Sequence, residues 1–173
     1  DYLRVLFARV GVPYSPTTGL PIRSQSVNEI TNLILKNNNN NKIYLLSPIV
    51  RSRKGEYKKE IDDLKKKGYQ RLKVNNKIYE IDEVPKLKRN FKHNIDVLVD
   101  RLIIKKNINQ RISESIETCL SLSNGLLYVE NLDNNKIDIY SSKFACPVSN
   151  FTIEEIEPRL FSFNAPQGAC KEC

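Results

Sequence analysis

The residues best equipped for chemistry are the sulfur and hydroxyl groups near the C-terminal end. Cys170 and Cys173 form a Cys-x-x-Cys pair, and Cys146 with Ser149 repeats that internal spacing upstream. Two such pairs would clamp a tetrahedral zinc ion from both sides. One of the four ligands is serine, however, and a neutral hydroxyl is a far poorer zinc ligand than a thiolate. The pattern therefore reads as a knuckle partly dismantled. Cys146, Cys170 and Cys173 could hold zinc only with water as the fourth ligand. A sequence that stops on the last cysteine of such a pattern is expected to be a segment of a longer protein. Other chemistry is thin. No Gly-x-x-x-x-Gly-Lys-Ser/Thr loop is present to cradle phosphates. His93 is the sole histidine, which excludes a His-based triad. Asp62-Asp63 and Glu154-Glu155 sit in solvated contexts and define no acid/base pair. An enzyme acting alone is not expected.

Composition narrows the remaining classes. The chain has 173 residues, 40% of them hydrophobic, enough for a core in one domain of ordinary size. No apolar run approaches the ~20 residues needed to cross a bilayer, and the opening Asp1-Tyr2-Leu3-Arg4 lacks signal-peptide character. A cytoplasmic location with no membrane partner is expected. The net charge of +8 calls for an anionic partner, nucleic acid or an acidic protein face. Lysine, asparagine and isoleucine are abundant throughout, as in proteins from AT-rich genomes, so compositional drift supplies part of that excess. Arg51, Arg53, Lys54, Lys58 and Lys59 form the densest basic cluster. It could touch DNA phosphates or acidic partner residues, or form the solvated face of a helix.

The elements that must position these groups follow from capping, turn chemistry and periodicity. Ser26 and Glu29 make a capping box, after which Val27, Ile30, Leu33 and Ile34 give a helix one apolar face. Beyond the Asn37–Asn41 run, a tolerant surface loop, Ile43 to Val50 reads as a buried strand. Residues 56–67 form a basic helix with Tyr57, Ile61 and Leu64 inward, ended by Gly68 as a left-handed cap. Gln70–Val74 and Lys77–Ile81 flank Asn75-Asn76, a two-residue turn that tolerates positive φ. That hairpin sets Arg71 across from Glu80. Ile95 to Ile104 is the strongest strand. Ile108, Ile112, Ile116 and Leu120 then stripe a helix, with Cys119 packed on its apolar side. A second hairpin joins Leu126–Glu130 to Lys136–Tyr140. The fold class is α+β: a small mixed sheet of about six strands with about three helices over residues 26–141. The flanks look like parts of another unit that this module interrupts.

Several blocks carry a family resemblance across the chain. They are Asp1 to Gly11 (Asp-Tyr-Leu-Arg-Val-Leu-Phe-Ala-Arg-Val-Gly), Pro48-Ile49-Val50-Arg51, and Lys92 to Arg101 (Lys-His-Asn-Ile-Asp-Val-Leu-Val-Asp-Arg). Phe144-Ala145-Cys146-Pro147 and Glu157 to Asn164 (Glu-Pro-Arg-Leu-Phe-Ser-Phe-Asn) complete the set. With these motifs the chain resembles the UvrA family of the excinuclease ABC system, the damage-recognition ATPases of bacterial nucleotide excision repair.

That resemblance implies a division into three parts. Residues 1–25 would be a strip of the first ATP-binding and signature domain, and 26–141 an inserted UvrB-binding domain. Residues 142–173 would be a degenerate zinc-knuckle region leading back into the signature domain. The ABC-type ATP site would lie outside this segment, so ATP is expected only in the intact protein. The intact protein would also be a homodimer and bind damaged double-stranded DNA. Arg71 and Arg101 match positions on the face that meets UvrB, where a guanidinium offers a planar fork of donors to a carboxylate. The plain alternatives are a cross-strand pair with Glu80 for Arg71 and a solvating charge beside Asp100 for Arg101. The positions of Ser15 and Thr18 usually hold Cys-x-x-Cys or Cys-x-x-His in the family, and Ser149 is usually cysteine. Three implied metal ligands are thus replaced here.

Overall fold

Ser26 begins its helix as the capping box requires: its Oγ accepts from the Glu29 amide at 3.2 Å, and the Glu29 carboxylate accepts from the Ser26 amide at 2.7 Å. The computed structural model describes residues 2–105, 107–143, 146, 156–166 and 168–169. In chain order it contains α1 (Tyr2–Val10), α2 (Val27–Asn37), β1 (Lys42–Lys54), α3 (Lys58–Lys66), β2 (Arg71–Val74) and β3 (Lys77–Glu80). β4 (Lys92–Ile103), α4 (Asn109–Leu122), β5 (Leu126–Asn131) and β6 (Lys136–Ser141) follow. The chain divides into two units, Gln25–Ser142 and the paired flanks Asp1–Ser24 with Lys143–Cys173.

The larger unit is an α+β domain around a six-stranded sheet of order β3-β2-β4-β1-β5-β6. Every strand pair is antiparallel, which corrects the expectation of a mixed sheet. The cause is an insertion. β4 and β5 run parallel to each other and are joined through α4, a connection that would ordinarily make parallel neighbours. β1 lies between them and pairs antiparallel with both. The two hairpins form as the turn residues dictate. Asn75 and Asn76 take φ of 48° and 70°, the left-handed pair that matches strand twist, and Arg71 stands opposite Glu80. Gly68 adopts φ +89° just past α3.

The three α-helices of this unit cover one face of the sheet. Ile30 and Ile34 of α2 and Ile112, Ile116, Cys119 and Leu120 of α4 pack on Ile43, Leu45, Leu102, Leu127 and Val129. Leu64 of α3 packs on Leu72, Val74, Ile95 and Val97, and Val99 touches both clusters. Burial pushes the Cys119 thiol well above its ordinary range, as befits a packed, inert sulfur. His93 is a structural residue. It is buried, with Nδ1 3.1 Å from the Asn75 side-chain amide and Nε2 2.9 Å from the Lys88 carbonyl, so it ties the β2–β3 turn to β4.

In the smaller unit, the ring of Phe7 on α1 lies 5.8 Å from that of Phe161, and the Arg4 guanidinium lies 5.9 Å from the Phe163 ring. No residue of α1 is buried. Among the described residues, no helix is long and apolar enough to cross a membrane.

Candidate functional site

Residues opposite each other in an antiparallel pair project to the same face, so the register identifies what stands on the sheet face without helices. Arg71, Lys73, Asp96, Arg101, Tyr44, Tyr128, Glu130, Ile137 and Ile139 share it. Ile78, Ile137 and Ile139 are exposed there, which gives the face an apolar margin around charged groups.

Arg71 and Arg101 come together. Both line a cleft of about 290 Å³ formed where β2 and β4 separate, between Gly68–Arg71 on one side and Leu98–Arg101 on the other. Arg71 Nε donates to Glu80 Oε1 at 2.7 Å, so the cross-strand pairing is realised as well. Its side chain remains 41% exposed, which leaves guanidinium donors available to a second partner. Arg101 is exposed, and its backbone amide donates to Asp100 Oδ1 at 2.7 Å. The Asp100 carboxylate itself turns to the helix side and is held by Arg111 at 2.8 Å and Ser115 at 2.9 Å. Burial works against that carboxylate's charge, but the hydrogen bonds from Arg111, Ser115 and the Arg101 amide hold its pKa below the ordinary value. Asp100 is thereby occupied, and the Arg101 guanidinium is left to the open face.

The five basic residues are divided between two elements. β1 runs on to Lys54, so Arg51, Arg53 and Lys54 lie on a strand, whereas Lys58 and Lys59 open α3. Lys58 pairs with Glu56 at 3.1 Å. Of the five, Arg51 alone reaches the hollow on the open face, a space of about 320 Å³ that also includes Lys73, Asp96 and Tyr128.

That hollow holds charged residues that local sequence does not single out. Lys73 is 7% exposed at its side chain and donates to Glu130 Oε2 at 2.7 Å. Asp96 stands across from Lys73 in register. Burial raises its carboxyl to about 6, with Lys73 and Arg51 opposing that shift and Glu130 adding to it. The only sequence signal is position: Lys73 between Leu72 and Val74, and Asp96 between Ile95 and Val97, which reads as the solvated side of a strand. The raised value means that folding favours protonated Asp96. Its stabilising contribution is full below the unfolded pKa near 4 and lost as pH rises through about 6. Asp96→Asn should therefore stabilise the domain at pH 8 by about 2–3 kcal/mol and leave it unchanged near pH 4. Urea unfolding at the two pH values checks this. An equal effect at both would contradict it.

The implied zinc site can be followed at three of its positions. Ser15 is buried and Thr18 half-buried, and Cys146 is fully buried. The Thr18 amide donates to Ser15 Oγ at 3.3 Å, and Thr18 Oγ1 lies 3.3 Å from Cys146 Sγ. The chain thus brings the 15/18 positions to Cys146, but with two hydroxyls and one thiol. That donor set does not fit zinc. Ser149, Cys170 and Cys173 lie outside the described residues.

Residues 25–133 match the model of the family described as the UvrA interaction domain. The chain belongs to this family. It is 51% identical over 193 aligned residues to UvrABC system protein A of Rhizobium meliloti strain 1021, covering 100% of this chain and 20% of that protein. The corresponding protein of Agrobacterium fabrum strain C58 is also 51% identical with the same coverage. That of Rickettsia bellii strain RML369-C is 50% identical over 183 residues, covering 100% of this chain and 19% of the relative. The UvrA interaction domain match falls on the sheet domain, whose boundaries at Gln25 and Ser142 enclose it. The chain spans about a fifth of the length of these relatives.

Proposed function

We infer that the sheet domain is the surface by which a UvrA protein recruits UvrB during bacterial nucleotide excision repair. The observation that carries this reading is the helix-free face with Arg71 and Arg101 on one cleft, in a domain of the UvrA interaction family. An interface needs groups that are exposed yet geometrically fixed. Arg71 is fixed by Glu80, and Arg101 by its place on the longest central pair, β1 with β4. Arginine suits the task because its fork meets carboxylates bidentately. In this reading, ATP use and binding of damaged DNA belong to the remainder of the full-length protein.

Direct DNA contact is the second reading, favoured by the net charge of +8. Salt separates the two. Neutralising several phosphates releases counterions, and affinity then falls ~10³–10⁵-fold between 50 and 200 mM salt. The expected result is retention of this chain on immobilised UvrB at 200 mM salt in the presence of excess duplex DNA. Loss of UvrB retention together with tight, salt-sensitive binding to the duplex would establish the DNA reading instead.

The metal expectation follows the donor set at Ser15, Thr18 and Cys146. Elemental analysis of the purified chain should find well under one zinc, and a chelator should leave the melting of the sheet domain unchanged. One zinc per chain, lost together with the fold on chelation, would overturn both parts.

A further inference from the structure

β4 is a long strand with a short neighbour. It runs from Lys92 to Ile103, but β2 pairs with it only through Ile95, Asp96 and Val97. From Leu98 to Ile103, β1 occupies one edge of β4, and among the described residues no strand pairs with the other. Gly68 to Arg71 diverge from it and leave the cleft described above. An unpaired edge inside a sheet is a template for another strand. The sheet's other bare edges differ. β3 has four residues, and β6 is tied at its end by Gln25, whose amide donates to the Ser141 carbonyl at 2.9 Å.

Two features select what could pair with β4. Arg101 projects from the bare segment and Arg71 stands at its mouth, so a strand carrying carboxylates is attracted. A second copy of this chain would set Arg101 near Arg101 between molecules of net charge +8 and is repelled. A register shift between Leu45 and Leu46, opposite Leu98 to Asp100, also twists this edge away from indiscriminate pairing.

We propose that an extended, acidic segment of UvrB adds as a strand to β4 along Leu98–Ile103, with its carboxylates on Arg101 and Arg71. This rests on the UvrB-docking reading and states how the docking is made.

Amide hydrogen exchange of this chain, free and saturated with UvrB, tests it. Amides between Leu98 and Ile103 that exchange rapidly in the free chain, other than that of Arg101, which already donates to Asp100, should slow by at least about tenfold in the complex, since they acquire backbone partners. Raising the concentration of the chain alone should not slow them. Binding of UvrB with those amides unchanged overturns strand addition and leaves the docking reading intact. Absence of UvrB binding overturns both. Slowing that arises with self-concentration makes a second copy the occupant and contradicts the proposal.

Discussion

Arg101→Glu should weaken UvrB binding at least tenfold while leaving the melting temperature close to that of the parent chain. The guanidinium is exposed beside a cleft, and its neighbour Asp100 is already held by Arg111 and Ser115. Reversal therefore removes no intramolecular pair and places a carboxylate where a partner carboxylate is expected. Truncating one member of a buried interfacial charge pair costs ~2–5 kcal/mol, and reversal costs at least that. Each 1.4 kcal/mol is about a factor of ten in affinity. Arg71→Glu should act in the same direction but also surrenders the 2.7 Å contact with Glu80. Both of those side chains are more than 40% exposed, so the stability lost is small, ~0.2–1 kcal/mol. If pairing with Glu80 were the whole role of Arg71, the reversal would lower stability slightly and leave affinity unchanged. Lys36→Glu, on the exposed side of α2 behind the sheet, is the control: it should leave UvrB affinity unchanged and cost only the small stability lost by placing a carboxylate in the last turn of a helix.

The largest effect on stability is expected at Lys73. Its side chain is 7% exposed and that of Glu130 17%, so each is paired in a poorly solvated setting. Lys73→Ala leaves Glu130 near Asp96 with their main cation gone, and removal of one partner from such a pair costs ~3–5 kcal/mol. The cost should grow above pH 6, where Asp96 also ionises. Replacing both members behaves differently. Glu130 lies opposite Tyr44 and Ile137, a surrounding that accepts an apolar side chain. Lys73→Met with Glu130→Leu should recover most of the loss, since buried pairs exchanged for packed hydrophobes are often neutral or better. Denaturant unfolding of the two single variants and the double variant measures this coupling directly. Additive losses in the double variant would mean that the two charges do not depend on each other.

These two cases differ in how much the sequence reveals. Local chemistry is readable: Asn75-Asn76 set the hairpin register and with it the Arg71–Glu80 pair, and the isoleucine stripe of α4 sets its buried side. Arg101 is singled out by resemblance, and its freedom from Asp100 becomes visible only when Arg111, ten residues further on, is seen to occupy that carboxylate. The Lys73–Glu130 pair is less legible still. It joins β2 to β5 across two intervening strands, and depends both on β1 entering between β4 and β5 and on the twist of the sheet. A lysine between two buried aliphatics reads as solvent-facing whenever the sheet is imagined flat. The basic residues fall on two different elements for a related reason. Arg51 to Lys54 extend β1 past its apolar run, because pairing with β4 continues to Lys92 and supplies the partners that composition does not. Contacts such as Thr18 with Cys146 span most of the chain and leave no local trace.

Whether this segment carries a UvrB-docking surface by itself is tested most directly by calorimetric titration of UvrB into the purified chain. The expected result is a saturable one-to-one isotherm that is lost or strongly weakened with Arg101→Glu, the variant retaining the parent circular dichroism and melting temperature. A folded chain that gives no binding heat and no co-migration with UvrB would contradict a docking surface here.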